Sequence, residues 1–361
     1  MRFPIEGGLD VKEGLSQGWS IPSEWYTEPA KLAEENAKIF ARGWQYAGRM
    51  DQLERSGDYI TTTAGQVPII VVRDREGELR AFVNVCPHRA HEIAQGSGRR
   101  QTFQCGYHAW TFNLDGTLRA APRSECEPSF DKSALGLLPA AVAQWGPFAF
   151  VNADPEGESL ETALEDLGDR AVEMGFAPDD YKYHETRSYE IECNWKVILD
   201  NATECYHCEP VHRGFADRYS TVPKDFNKNL SVAGSCFSYS LPLRDQGAEA
   251  GHDFQLYYLW PNFMILLEQG SYYWTSRSDP ISATRTRVRQ DFFFHPSIDE
   301  VARAEEMKMM VDAIQEDVVV NESVQRSLNS NRLPQARFFV NEEKLMGHIQ
   351  RAYVDAMAVG R

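Results

Sequence analysis

The sequence has no run approaching ~18 uninterrupted apolar residues, so no membrane-spanning helix is expected. Its start, MRFPIEGGLDVKEG, lacks a basic segment followed by an apolar one, and no secretory leader is expected from it. Basic residues are in deficit: 37 lysine plus arginine against 53 aspartate plus glutamate, a net charge of −16. That balance disfavours nucleic acid, whose phosphates want a basic face. No internal repeat or low-complexity tract occurs, and no G-x-G-x-x-G follows a strand-like run, so no dinucleotide fold is expected in this chain. Glycine and proline are near their average shares, which excludes a collagen-like or wholly disordered chain. A chain of 361 residues, about two domains by length, builds real cores and needs no disulfide staples. Its cysteines are few and odd in number, seven, beside nine histidines. In a reduced, cytoplasmic protein such thiols are candidates for metal or catalytic chemistry.

What is present divides by texture. Residues 29–44 (PAKLAEENAKIFARGW) predict a helix, with Pro29 in the first turn and Leu32, Ala33, Ile39, Phe40 and Trp44 roughly on one face. Residues 57–155 carry short β-rich runs such as Val67–Val72, Ala81–Val85 and Pro147–Val151, broken by turns like Asp115-Gly116. That spacing predicts a small antiparallel β domain. Residues 156–182 read as an acidic connector with a helix. From 187 to 292 the pattern predicts strands (Phe254–Leu267, Ser271–Arg277, Thr286–Phe294) around one helix near 194–208. Helices over 297–328 and 340–358 close the chain, giving an α+β second half.

Two groups of residues carry chemistry. Cys86-Pro-His88 and Cys105-Gly-Tyr-His108 each stand where a strand run gives way to a turn. Two thiolates and two imidazoles suit tetrahedral zinc, or a [2Fe–2S] cluster with cysteines on one iron and histidines on the other. The C-x-H spacing is unlike that of zinc fingers.

The second group spans 194–212. On a continuous helix Asp200, Glu204 and His207 share a face, while His212 lies about 140° from His207. Pro210 disfavours helix at the residue before it, so the chain is expected to break near 208–210 and fold His212 back beside His207. Cys205 and Cys208 with the two histidines also admit a zinc knuckle, and core histidines satisfied by hydrogen bonds are the bland alternative. In the late helix Met307, Met310, Ile314, Asp317, Asn321, Val324 and Leu328 repeat at 3,4 spacing. Asp317 thus falls on an apolar stripe, as a metal ligand or one half of a buried salt bridge. Asp312 and Glu316 share the polar side with Lys308 and read as solvated. A two-histidine, one-carboxylate site leaves positions open for oxygen and substrate.

CPHRAH (86–91) and CGYHAWTFNLDGTL (105–118) resemble the Rieske motif of ring-hydroxylating and related non-haem iron oxygenases. NWKVILDNATECYHCEPVH (194–212) and QEDVVVNESVQRSL (315–328) resemble the mononuclear-iron segments of that family's α subunits. The departures are Gly106 and Ala109, where the family more often has Pro and Gly. The resemblance implies a Rieske [2Fe–2S] cluster on Cys86, His88, Cys105 and His108, and Fe(II) on His207, His212 and Asp317. It implies that Glu204 links an iron-bound histidine to the cluster histidine His108 of a neighbouring subunit, and that Asn201 holds a recurrent polar position. The implied fold is α+β: an N-terminal antiparallel β Rieske domain (45–155) and a C-terminal helix-grip-like antiparallel sheet with flanking helices (156–361). Residues 1–44 would pack on the latter. Cys126, Cys193, Cys205, Cys208 and Cys236 are left as ordinary thiols.

The implied function is a cytoplasmic, homotrimeric terminal oxygenase. It would use O2 and electrons from a separate NAD(P)H-dependent flavin/iron–sulfur reductase, with or without a ferredoxin. Arg89, Arg99 and Arg100, basic within an acidic chain, are a docking patch for that reductase or simply a solvated loop. The stretch around Glu204 resembles carnitine- and betaine-type monooxygenases, which points to hydroxylation or oxidative N-demethylation of a small polar or quaternary-amine substrate. An aromatic-acid hydroxylase or dioxygenase is the alternative within the family; a Rieske electron carrier or structural zinc protein lies outside it. The aromatics Tyr257, Tyr258, Trp260, Phe263, Tyr272, Tyr273 and Trp274 either pack as strand residues or form part of a cation–π box.

Overall fold

The computed structural model describes residues 3–222, 230–244 and 253–358. The chain divides into two compact units: Ile39–Ala163, and the residues before 39 joined with those from 164 onward. The expected divisions, after 44 and after 155, fall a few residues from these.

The first unit is built on antiparallel pairs. A seven-stranded sheet uses β1 (Gln45–Arg49), β2 (Asp58–Ala64), β3 (Val67–Arg73), β4 (Leu79–Val83), β5 (Ser97–Arg99), β9 (Pro139–Trp145) and β10 (Phe148–Asn152) in the order β1-β10-β9-β4-β3-β2-β5. A smaller sheet joins β6 (Phe103–Gln104), β7 (Thr111–Phe112) and β8 (Leu118–Ala120). Because side chains alternate along a strand, β3 feeds two cores. Ile69 and Val71 pack with Leu53, Ile60 and Ala149. Ile70 and Val72 pack with Phe103, Trp110, Cys86 and Cys105. The second core is the seat of the Cys/His loops, one between β4 and β5 and the other between β6 and β7.

The second unit holds a seven-stranded antiparallel sheet of β11 (Lys182–Ile191), β12 (Ser231–Ala233), β13 (Cys236–Leu241), β14 (Phe254–Leu259), β15 (Phe263–Glu268), β16 (Tyr272–Ser282) and β17 (Arg285–Phe294). Its order is β11-β17-β16-β15-β14-β13-β12. The β-rich run over 254–267 folds as a hairpin, β14–β15, within the expected antiparallel sheet. Helices Trp195–Ala202, Glu300–Leu328 and Lys344–Ala358 flank the sheet. The helix expected over 29–44 runs regularly only from Pro29 to Glu35 and then widens into a π-turn over Asn36–Phe40. Among the described residues no helix is long and apolar enough to cross a membrane.

A buried polar knot fixes the Trp195–Ala202 helix. Asn194 caps it by accepting from Lys196 N at 2.9 Å and donates to Ala283 O at 2.7 Å. Glu35, fully buried, accepts from Lys196 Nζ (2.5 Å), Trp195 Nε1 (2.7 Å) and Tyr353 Oη (2.7 Å). A buried charge with three donors is tolerated; an unpaired one would not be.

Candidate metal centres

The two Cys/His loops close in the same way. Cys86 N donates to His91 O (2.9 Å) and Ala90 N to Cys86 O (2.9 Å); Cys105 N donates to Trp110 O (2.8 Å) and Ala109 N to Cys105 O (3.0 Å). Ala90 and Ala109 occupy the equivalent left-handed position, at φ 56° and 61°. Alanine bears there the steric cost that glycine would avoid, which locates the Ala109 departure in loop geometry and away from the donor atoms. Asn84, 2% exposed, pins the first loop: its Oδ1 accepts from Ile93 N and Ala94 N, and its Nδ2 donates to Ala94 O.

Both cysteines are 2% exposed, and the rings of His88 and His108 lie 4.5 Å apart at their centroids. Burial first, then the neighbouring Cys105, push the Cys86 thiol up in pKa, against the lowering pull of backbone N–H groups from His88 and Arg89. Desolvation, then repulsion from His88 and Arg89, lower His108. Paired buried sulfurs with two imidazoles opposite make a donor set that suits a [2Fe–2S] cluster. Trp110 stacks flat on His88, centroids 4.9 Å apart, a contact the sequence pattern did not flag. Of the three arginines, Arg89 sits over Tyr107, Arg100 over Tyr59, and Arg99 donates to Ser56 O.

In the second unit the chain leading to His207 and His212 differs from the expected helix. The Trp195–Ala202 helix stops at Thr203, so Glu204 and His207 do not continue its face. Asp200 turns away, accepting from Tyr26 Oη (2.6 Å) and Gln350 Nε2 (3.0 Å). A short helix, Cys208–Val211, follows, and Pro210 sits inside it, in the first turn where its missing N–H costs nothing. The break therefore precedes Cys208 and is not caused by Pro210. Cys205 and Cys208 are joined in a disulfide. They are neither ordinary thiols nor partners of the histidines in a zinc knuckle.

His207, His212 and Asp317 converge, with one donor atom from each lying within 4.8 Å of the others. His212 Nε2 is 2.9 Å from Asp317 Oδ1, and His207 Nε2 is 3.5 Å from it. Among the described residues Asp317 pairs with histidines and with no lysine or arginine. The outer nitrogens are also held. Glu204 accepts from His207 Nδ1 and from the backbone N–H groups of Tyr206 and His207. Glu316 accepts from His212 Nδ1 at 2.8 Å. Glu316 is thus a partner of the site and not merely solvated; Asp312 does pair with Lys308 at the surface. Carboxylates on Nδ1 leave both Nε2 atoms free for a metal. Burial opposes charge on His212, but Asp317 and Glu316 outweigh it and raise its pKa. Asn201 Nδ2 lies 3.4 Å from His207 Nε2.

The histidines and Asp317 open onto one cavity, walled by Phe215, Tyr239, Phe254, Tyr272, Trp274 and aliphatic neighbours. Only Tyr272 and Trp274 of the seven aromatics singled out in the sequence line it. Tyr257 and Tyr273 point to the other face, stacked on Phe176 and Phe293, while Tyr258, on the face of Leu256 and Met264, stacks on Phe237 outside the cavity lining. Burial, then the charges of Glu204 and Asp317, push Tyr239 well up in pKa, keeping its hydroxyl neutral. The inward stripe of the Glu300–Leu328 helix also drifts from strict 3,4 spacing. Gln325 is buried where Val324 was expected, because 3.6 residues per turn outruns a heptad.

Residues 43–135 match the Rieske [2Fe-2S] domain family, and residues 178–359 match the family described as the ring hydroxylating alpha subunit, catalytic domain. The chain is 33% identical over 342 residues to the chloroplastic choline monooxygenase of Spinacia oleracea, spanning 91% of this chain and 76% of that one. It is 31% identical over 326 residues to the carnitine monooxygenase oxygenase subunit of Escherichia coli strain K12, spanning 87% and 85%. The quaternary ammonium Rieske monooxygenase CntA, solved with L-carnitine, superposes with a TM-score of 0.83 at 28% identity over 96% of this chain and 98% of that one. Naphthalene 1,2-dioxygenase from Rhodococcus sp. shares the fold, with a TM-score of 0.80 at 18% identity over 96% and 98%.

Proposed function

The chain belongs to the Rieske non-haem iron oxygenases, and we propose that within them it monooxygenates a small quaternary-amine substrate. It is a terminal oxygenase, and the family requires an outside electron donor and an oligomeric assembly. We assign Cys86, His88, Cys105 and His108 to the cluster and His207, His212 and Asp317 to the mononuclear iron. The observation that carries this is the His207–His212–Asp317 convergence, each histidine held from behind by its own carboxylate.

When bound, the iron supplies oxygen activation with electrons from the cluster. The chain's residues do the rest. Glu204 and Glu316 fix which nitrogen of His207 and His212 carries the proton, and so aim both rings. Asn201, beside His207 Nε2, faces the space where substrate and oxygen meet. The aromatic wall excludes water and offers π faces to a cation. Among the described residues no lysine or arginine lines the cavity, which favours a cationic substrate over an aromatic acid. The same proposal includes a homotrimer with Glu204 bridging toward the neighbouring subunit's cluster. It also includes a cytoplasmic location and an NAD(P)H-dependent flavin/iron–sulfur reductase, with or without a ferredoxin, docking near Arg89, Arg99 and Arg100.

The test is a screen of choline, carnitine, betaines and aromatic acids for substrate-dependent oxygen consumption with a surrogate reductase. A red-brown protein with a Rieske EPR signal, about three irons per chain and coupled turnover of a quaternary amine is expected. Coupled turnover of an aromatic acid alone would overturn the substrate assignment; a colourless zinc protein would overturn the whole.

A further inference from the structure

The strand residues that line the cavity are aromatic, aliphatic or methionine except at one place. Ser276 on β16 and Gln290 on β17 are register partners, and both line the cavity. Gln290 is 5% exposed, and its Oε1 has no hydrogen-bond partner among the described residues. On the β11 side its register partner, Arg187, is bound instead to Glu185 at 2.5 Å. Tyr272, the other cavity-lining side chain with a buried unpartnered atom, has its hydroxyl beside Tyr219. A buried amide oxygen left unpaired at an otherwise apolar wall is costly, unless what enters the cavity pairs with it.

The position of the pair adds to this. Trp274 lies two residues before Ser276 on the same strand face, about 6.8 Å along it. A ligand lying along β16 can therefore place a cationic head on the indole and a polar group at Gln290.

Resting on the quaternary-amine reading above, we infer that Gln290, with Ser276 beside it, is a specificity-determining residue that accepts a hydrogen bond from a substrate hydroxyl. Oε1 lies buried in the wall, and a turn of the Gln290 amide about its last torsion brings it to the substrate hydroxyl, which donates to it, while the Ser276 hydroxyl, donor or acceptor by rotation, suits either rotamer of the incoming group. A substrate with a methyl group in that place leaves Oε1 unpaired. Sites built to hydrogen-bond a hydroxyl discriminate strongly against analogues lacking it.

The probes are choline and n-propyltrimethylammonium, which replaces the hydroxyl by a methyl group. Their dissociation constants are measured by calorimetry on the holoenzyme, with its cluster absorption verified. The wild type is expected to bind choline at least about ten-fold more tightly, the difference of one satisfied hydrogen bond. Gln290→Met, similar in volume but without the acceptor, should bring the ratio to about one by weakening choline alone. Gln290→Glu keeps an acceptor and should keep the preference. A wild-type ratio of one overturns the inference while leaving the quaternary-amine reading intact, and binding of neither ion overturns both. A Gln290→Met protein that still prefers choline also overturns it. If that variant does not fold, the wild-type ratio alone decides.

Discussion

Glu316 gives the sharpest test of how the mononuclear site is organised. Replacing it by alanine removes the acceptor 2.8 Å from His212 Nδ1 and replaces no proposed ligand. Loss of an outer-shell partner of a metal-bound histidine typically costs about 10–100-fold in metal affinity. The Glu316 side chain is 44% exposed, so water can replace part of what it supplies. The loss should therefore fall at the low end, about ten-fold, or roughly 1.4 kcal/mol. The assay strips the mononuclear site with a mild chelator, leaves the cluster intact, and titrates Fe(II) back against a chromophoric competitor at pH 8. Glu316→Gln, which keeps a carbonyl acceptor, should recover most of the affinity. Asp312→Ala, one turn away and paired among the described residues with Lys308, is the control that should bind iron as the wild type does. If Glu316→Ala holds iron within about two-fold of wild type, Glu316 does not orient His212 and the reasoning fails.

Asp317→Ala should lower the iron content from about three to about two per chain and leave the Rieske EPR signal unchanged; loss of that signal would refute the division of ligands between two sites. Changing Cys205 and Cys208 together to alanine should leave the iron content unaltered, whereas lost metal would put sulfur back among the ligands. Asp200 gives a pH prediction. Burial raises its folded pKa to about 6, above the unfolded value near 3.9. Its contribution is thus most favourable below about pH 4 and is lost as pH rises through 6, roughly 3 kcal/mol in all. About 1.4 kcal/mol of that falls between pH 5 and 7.5. Asp200→Asn should remove that slope in urea unfolding followed by tryptophan fluorescence, and equal slopes in the two proteins would refute the assignment.

The proposed metal donors were legible because their chemistry is local. Cys86-x-His88 and Cys105-x-x-His108 each occupy one turn, and a turn sets its own geometry through hydrogen bonds between near neighbours. Asp317 was legible because a carboxylate on an apolar stripe is costly enough to need a reason. Glu316 was not, because it is half-exposed and its value lies in a contact with a residue 104 positions earlier. Asp200 was misplaced for a related reason: periodicity assumes that a helix continues, and this one ends at Thr203.

The cavity aromatics show the same division. Local sequence marks Tyr257, Tyr258, Tyr272, Tyr273 and Trp274 alike as strand residues. Strand pairing and register decide that Tyr272 and Trp274 face the cavity while Tyr257 and Tyr273 pack away from it. The sequence by itself determined the family and the α+β class and picked out the two proposed donor sets, since these rest on residue type and short spacing. Only the tertiary structure decided which carboxylate steadies which histidine, that Cys205 and Cys208 bond to each other, and that Gln290 faces the cavity unpaired. Those depend on segments brought together from across the chain, where no local pattern reports the contact.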